Sequence, residues 1–130
     1  MDMEALSADD YESVHRASRG LAVRYGVVTL NAMMEAWEAL VQEVEEGFDV
    51  EQVWEYDNLL RCRRWLAEAW PVFTDRIRAV RQAELDALDA RFQLATVPLR
   101  GQAEDARWHS RRPLLIVGDT LLDLPGSWVL

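Results

Sequence analysis

The chain has 130 residues, half of them apolar, with a mean hydropathy of −0.18 and a net charge of −9, which is enough for one ordered domain and too little for two. A pI of about 4.6 opposes broad attraction to nucleic acid or to an anionic membrane surface. All fourteen basic residues are arginine, so Schiff-base chemistry, a Walker lysine and a lysine general base are excluded.

In chain order, the stretch from Met1 to Asp10 is acidic and has no apolar h-region, so no secretory signal is expected. Ser7 followed by Asp10 has the spacing of a capping box and predicts a helix start near Ala8. Tyr11, Val14, Ala17, Leu21 and Tyr25 keep helical spacing, and the apolar phase runs on through Val28, Ala32, Ala36 and Leu40. Gly20 and Gly26 are weak points, but the continuing phase favours one long helix over 8–46, closed by Gly47. Within it, eleven of the fifteen residues from Val27 to Val41 are apolar. Asn31, Glu35, Glu38 and Gln42 form one narrow polar strip, so most of the helix circumference must be covered, and a partner chain is one way to cover it. The run is too short to span a bilayer and contains two glutamates. A soluble, cytoplasmic protein is expected.

Asp49 with Gln52 supplies a second capping signature and predicts a helix over 50–69. Pro71 kinks it or opens the next, which runs over 71–95 on the spacing of Phe73, Ile77, Val80, Leu88 and Phe92 until Pro98 and Gly101 stop it. A short helical piece is placed near 102–109. The tail differs in kind: Leu114 to Val117 reads as a short strand, Gly118-Asp119 as a turn, and Thr120 to Leu124 as a return strand. A lone hairpin is marginal in water, so this segment must dock. The predicted fold is all-α: an antiparallel bundle of two to four helices over 1–112, with an irregular or hairpin-like apolar docking tail over 113–130, a single domain overall.

Charge is segregated. Residues 35–57 carry nine acids and no arginine, whereas 60–81 carry six arginines against Glu68 and Asp75. Helices so charged are expected to lie antiparallel, within one chain or across a dimer. Glu43, Glu45, Glu46, Glu51 and Glu55 make up an acidic patch; their spacing does not reproduce the paired Glu-Glu-x-x-Glu and Glu-x-x-Asp arrangement of magnesium-dependent all-helical nucleotide pyrophosphohydrolases.

On the 50–69 helix, Tyr56, Leu59, Cys62, Leu66 and Ala69 form an apolar seam. Trp54 and Trp65, eleven residues apart, fall on another line with Asn58 and Arg61 between them. Indole beside guanidinium is the composition of an interface hot spot, and packing inside the same chain accounts for it equally. Cys62 is the only cysteine, so no intrachain disulfide forms; it is read as a buried, inert thiol. Arg107, Trp108, His109, Arg111 and Arg112 are a basic and aromatic cluster, read as a collar on the acidic region more readily than as a nucleic-acid grip. Glu12 with His15, and Asp105 with His109, have helical spacings that a metal can bridge, but a di-iron site of that design needs carboxylates from four helices. No metal or other cofactor is assigned.

The expected function is that of a small non-catalytic assembly subunit, partnered by protein or by its own copies, with nucleic acid disfavoured and no membrane. Trp54, Asn58, Arg61, Trp65, Trp128 and Leu130 are the expected contact residues. An acidic inhibitor, antitoxin or immunity protein that masks a basic site is the alternative, and a helical subunit of a nucleoprotein complex ranks third.

Overall fold

The computed structural model describes residues 6–99, 101, 102, 108–118 and 128. The fold is mostly helical, with bundle-like packing between helices and a little strand towards the C-terminus. Among the described residues are the α-helices α1 (Ala8–Tyr25), α2 (Leu30–Glu46), α3 (Tyr56–Leu59), α4 (Arg61–Ala69) and α5 (Asp75–Leu94). They also include the short strands β1 (Phe48–Asp49), β2 (Thr96–Pro98), β3 (Arg111–Pro113) and β4 (Ile116–Val117). The chain divides into two compact units, one made of residues up to Trp37 and from Arg61 to Ala87, the other of Glu38–Leu60 with the chain from Leu88 onward.

In the first unit α1 begins as the sequence predicts. Ser7 caps it, its N–H donating to Asp10 Oδ2 at 2.8 Å while the Asp10 N–H donates to Ser7 Oγ at 3.3 Å. The predicted continuous helix over 8–46 does not form. The chain breaks at Gly26, whose φ of 78° is a left-handed conformation that closes α1, and a new helix starts at Leu30. The apolar phase carries across the break because both helices bury the same kind of face.

Asp10 does more than close the cap. Its other carboxylate oxygen accepts the Thr74 hydroxyl at 2.5 Å, and Ser13 Oγ accepts the Thr74 N–H at 3.2 Å. Thr74 also leads into α5, where its hydroxyl faces the Ile77 N–H at 3.4 Å and its carbonyl accepts from Arg78. Two helix starts are therefore locked to one buried carboxylate. At the far end of α1, Tyr25 donates its hydroxyl to Glu68 of α4, and Arg24 pairs with the same carboxylate. Between these ends α1 packs on α4 and on the 3-10 turn at Trp70–Val72. Pro71 sits inside that turn, so α5 starts at Asp75 and not at Pro71. The core of this unit comprises Met34, Trp37, Trp65, Leu66, Ala69 and Phe73, all buried, with Trp65 and Phe73 rings 6.4 Å apart.

In the second unit α2 ends at Glu46 and the Gly47 N–H donates to the Glu43 carbonyl, as a C-terminal glycine should. Asp49 accepts from the Glu51 N–H at 2.9 Å, so the second cap is present, yet the element it opens is a 3-10 helix over Val50–Glu55. Its three-residue turn stacks Val50, Val53 and Tyr56 on one buried face, a period that an α-helical reading of 50–69 does not contain. Leu60 then interrupts the chain between α3 and α4 and is itself buried, which shifts the seam by one residue from Leu59.

The tail docks on its own chain. β3 pairs antiparallel with β2, setting Val97 opposite Arg112, and β4 pairs parallel with β1, setting Phe48 opposite Ile116. Gly118 has φ 132°, and a Cβ there would lie 2.3 Å from Val50 Cγ1, so a side chain is shut out where the chain leaves β4. Trp128 closes an aromatic cluster with Phe48 and Tyr56, at ring separations of 6.3 and 5.0 Å. The predicted return strand over 120–124 lies outside the described residues. Among those described, no helix is long and apolar enough to cross a membrane.

The hydrogen bond from Thr74, with that from the Ser7 backbone, holds the Asp10 carboxyl below the usual carboxylate range. A folded-state pKa lowered in this way adds stability that is complete above the unfolded-state value and is lost as pH falls through the folded one. Asp10→Asn is therefore expected to lower Tm at neutral pH, with the gap to the native protein closing in acid. Melting curves from pH 7 to pH 2 check this, and a gap independent of pH would remove the carboxylate charge from the account.

Candidate interaction surface

The expected line of Trp54, Asn58, Arg61 and Trp65 does not form, because the 3-10 turns and the break at Leu60 destroy the single helical register it required. Trp54 stands out from the 3-10 helix and is 70% exposed, whereas Trp65 is fully buried in the first unit. Asn58 is exposed on α3. Arg61 is turned towards its own chain: its Nη2 donates to the Arg24 carbonyl at 2.6 Å and its guanidinium lies 5.3 Å from the Tyr25 ring centre. Trp128 is buried in the aromatic cluster, so it does not serve as an exposed tail anchor. Leu130 lies outside the described residues.

The acidic patch is a set of exposed side chains in the second unit. Glu43, Glu46, Glu51 and Glu55 face solvent. Glu46 accepts from Gln42 at 3.1 Å. Glu45 is claimed by Arg91 in a two-pronged pair at 2.6 and 3.0 Å, which lowers its carboxyl pKa and raises that of Arg91. The partner of Glu45 thus comes from late α5 and not from the 60–81 arginines.

The basic cluster before the tail is also turned inward. Arg111 and Arg112 are buried, and Arg111 donates to Thr96 Oγ1 at 2.8 Å and to the Thr96 carbonyl at 2.9 Å. Buried in this way, the two residues do not present an exposed grip for a phosphate backbone. Arg107 and Asp105, with the side chain of His109, lie outside the described residues. Glu12 pairs with Arg19 at 2.9 Å. Among the described residues no three histidine, cysteine or acidic side chains gather as metal ligands. Cys62 is buried, and desolvation pushes its thiol up to about 11.

A further surface emerges only from the fold. Leu94 ends α5 at 83% exposure, and Leu114, Leu115 and Val117 are each about half exposed. Two backbone bonds hold this edge: Leu114 N–H to the Ala95 carbonyl at 3.0 Å, and Phe48 N–H to the Leu115 carbonyl at 2.8 Å. Leu94, Leu114 and Leu115 line a shallow groove of about 320 Å³ with Val44 at its base and the Glu45–Arg91 pair at its rim. Leu115 and Val117 both reach over Gly47, which makes the apolar patch continuous. An apolar centre edged by a hydrogen-bonded ion pair is how protein interfaces are built. The signal in the sequence is that Leu94 falls off the buried phase of α5, and that Leu114 and Leu115 are adjacent, so alternation cannot bury both.

No family model, curated protein or solved structure matches this chain.

The two indoles are expected to behave oppositely. Trp65→Ala removes a fully buried ring and should cost roughly 3–5 kcal/mol, while Trp54→Ser should stay within about 0.5 kcal/mol; urea denaturation separates the two, and equal effects would contradict their placement. Cys62 should resist a thiol reagent at pH 8 in the folded protein and react promptly in urea.

Proposed function

We propose that this protein is a small non-catalytic assembly subunit, which covers the Leu94–Leu114–Leu115 groove with another protein chain. The observation that carries the reading is the continuity of exposed leucines over a fixed ion pair, since scattered apolar residues on a surface need no explanation but a contiguous patch does. Covering a fully exposed leucine contributes roughly 1.5–3 kcal/mol; Leu94 comes near that, and the half-exposed Leu114 and Leu115 each add about half of it. The Glu45–Arg91 pair at the rim would orient the partner. A reducing cytoplasm suits a chain with a single buried thiol. A second reading, an acidic inhibitor or immunity protein, is supported by the exposed Glu43, Glu46, Glu51 and Glu55, and it differs in requiring steep salt dependence.

The test is Leu94→Ser combined with Leu115→Ser. Both side chains are exposed, so Tm should hold while the sedimentation coefficient or partner recovery falls to that of the isolated chain, and assembly should persist at high salt. If the double variant sediments and captures partners as the native chain does, the groove is not the contact; loss of binding at moderate salt in the native protein favours the acidic reading instead.

A further inference from the structure

The first compact unit holds a cleft that the assembly reading does not use. It encloses about 330 Å³ between α1, the start of α2 and the first half of α5, a volume near the lower end of the roughly 300–1,000 Å³ typical of small-molecule sites. Leu30 and Ile77, both buried, form its floor, and Val14 and Val80 its walls. Tyr11 stands at the mouth, more than half exposed. Apart from Ile77, whose backbone N–H faces the Thr74 hydroxyl, nothing in this set belongs to the Asp10–Thr74 lock, and nothing belongs to the groove of the second unit.

Among the residues lining the cleft the fixed charge is a cation. Arg81 lines it and is held in place by Asn31, whose Oδ1 accepts from Nη1 at 2.8 Å. Its balancing carboxylate, Glu84, is 3.5 Å from Nη2, a loose contact, and the Arg81 Nε is buried with no acceptor. About a quarter of the Arg81 side chain stays exposed where it borders the cleft. His15 supplies a second nitrogen donor on the opposite wall. Thr29 and Asn31 mark the α2 start, whose first turn carries no acid to offset its positive end. A cation would meet repulsion here. A multiply charged phosphate would find one guanidinium in mostly apolar surroundings, too little to replace its hydration.

We propose that this cleft is a binding site for a small monocarboxylic acid with an apolar body. The carboxylate pairs with the Arg81 fork, and the body lies between Val14, Leu30, Ile77 and Val80. The volume limits that body to roughly eight to ten carbons. The site is in the first unit, so it stands or falls independently of the groove.

Sodium octanoate, below its micelle concentration, is the probe, titrated into the full chain by calorimetry and by amide NMR. Saturable binding is expected, with shifts confined to residues 11–15, 29–31 and 77–81, and with octylamine inert. Arg81→Gln should weaken octanoate at least tenfold while leaving 1-octanol unchanged. Should Arg81→Gln fold poorly, Val80→Glu places a like charge in the half-exposed wall and should abolish octanoate binding with the fold intact. The proposal is overturned if 1-octanol or octylamine binds as tightly as octanoate, if the shifts map elsewhere, if neither variant changes affinity, or if no saturation is reached at millimolar ligand.

Discussion

Guanidinium groups on helix-end carbonyls are the interaction on which the packing of this chain depends. The last carbonyls of a helix have no intrahelical donor and sit at the negative end of its dipole. Arg61 donates to the Arg24 carbonyl near the end of α1. Arg78 donates to the Phe73 carbonyl and lies within 3.4 Å of those of Trp70 and Pro71, where the chain turns after α4. Arg111 takes the Thr96 carbonyl just past α5 and reaches that of Gln93 at 3.3 Å. In each case the donor comes from outside the segment it closes. A five-donor planar fork can serve two acceptors at once where an ammonium presents a single point charge, which gives the all-arginine composition a structural use.

That use changes the meaning of the charge pattern. The arginines of 60–81 and 107–112 suggest a basic surface when counted along the sequence, but Arg61, Arg78, Arg111 and Arg112 each donate to backbone carbonyls of their own chain, and Arg78 also pairs with Asp75. Of the acids in 43–57, Glu45 is held by Arg91 and Asp49 caps the 3-10 helix, while Glu43, Glu46, Glu51 and Glu55 lie at the surface. Those four carboxylates make this part of the second unit's surface negative.

Legibility in the sequence depends on range. The cap at Ser7 and Asp10 and the end of α2 at Gly47 are decided within four residues, and both can be read directly. The buried side of α2, with Leu30, Met34, Trp37, Val41 and Val44 inward and Asn31, Glu35, Glu38 and Gln42 outward, also comes from the 3.6-residue period. Covering that face takes no partner chain, since the chain itself buries those five residues. The 3-10 helix at Val50–Glu55 is illegible because Val50, Val53 and Tyr56 satisfy a three-residue period while Leu59, Cys62, Leu66 and Ala69 continue it with the three-and-four spacing of an α-helix, and only packing chooses. Pairing of Thr96–Pro98 with Arg111–Pro113 joins two three-residue segments, each ending in proline and one of them Arg-Arg-Pro, too short for an alternating pattern to announce. The leucine groove is hidden for the same reason: its halves come from the end of α5 and from the tail.

Contiguous exposed apolar residues need a cause that scattered ones such as Val23 and Val27 do not. Leu94 and Trp54 contribute little to folding, since both remain mostly in water, and a polar residue at either site would serve the fold equally well. Left exposed, they invite indiscriminate association. A net charge of −9 opposes that association between copies of the chain, so a sticky patch is tolerable as long as the surface around it repels. Overcoming that repulsion takes a complementary shape over the leucines and a neutral or positive rim near Glu45, and those two demands together describe a specific partner more than a general one.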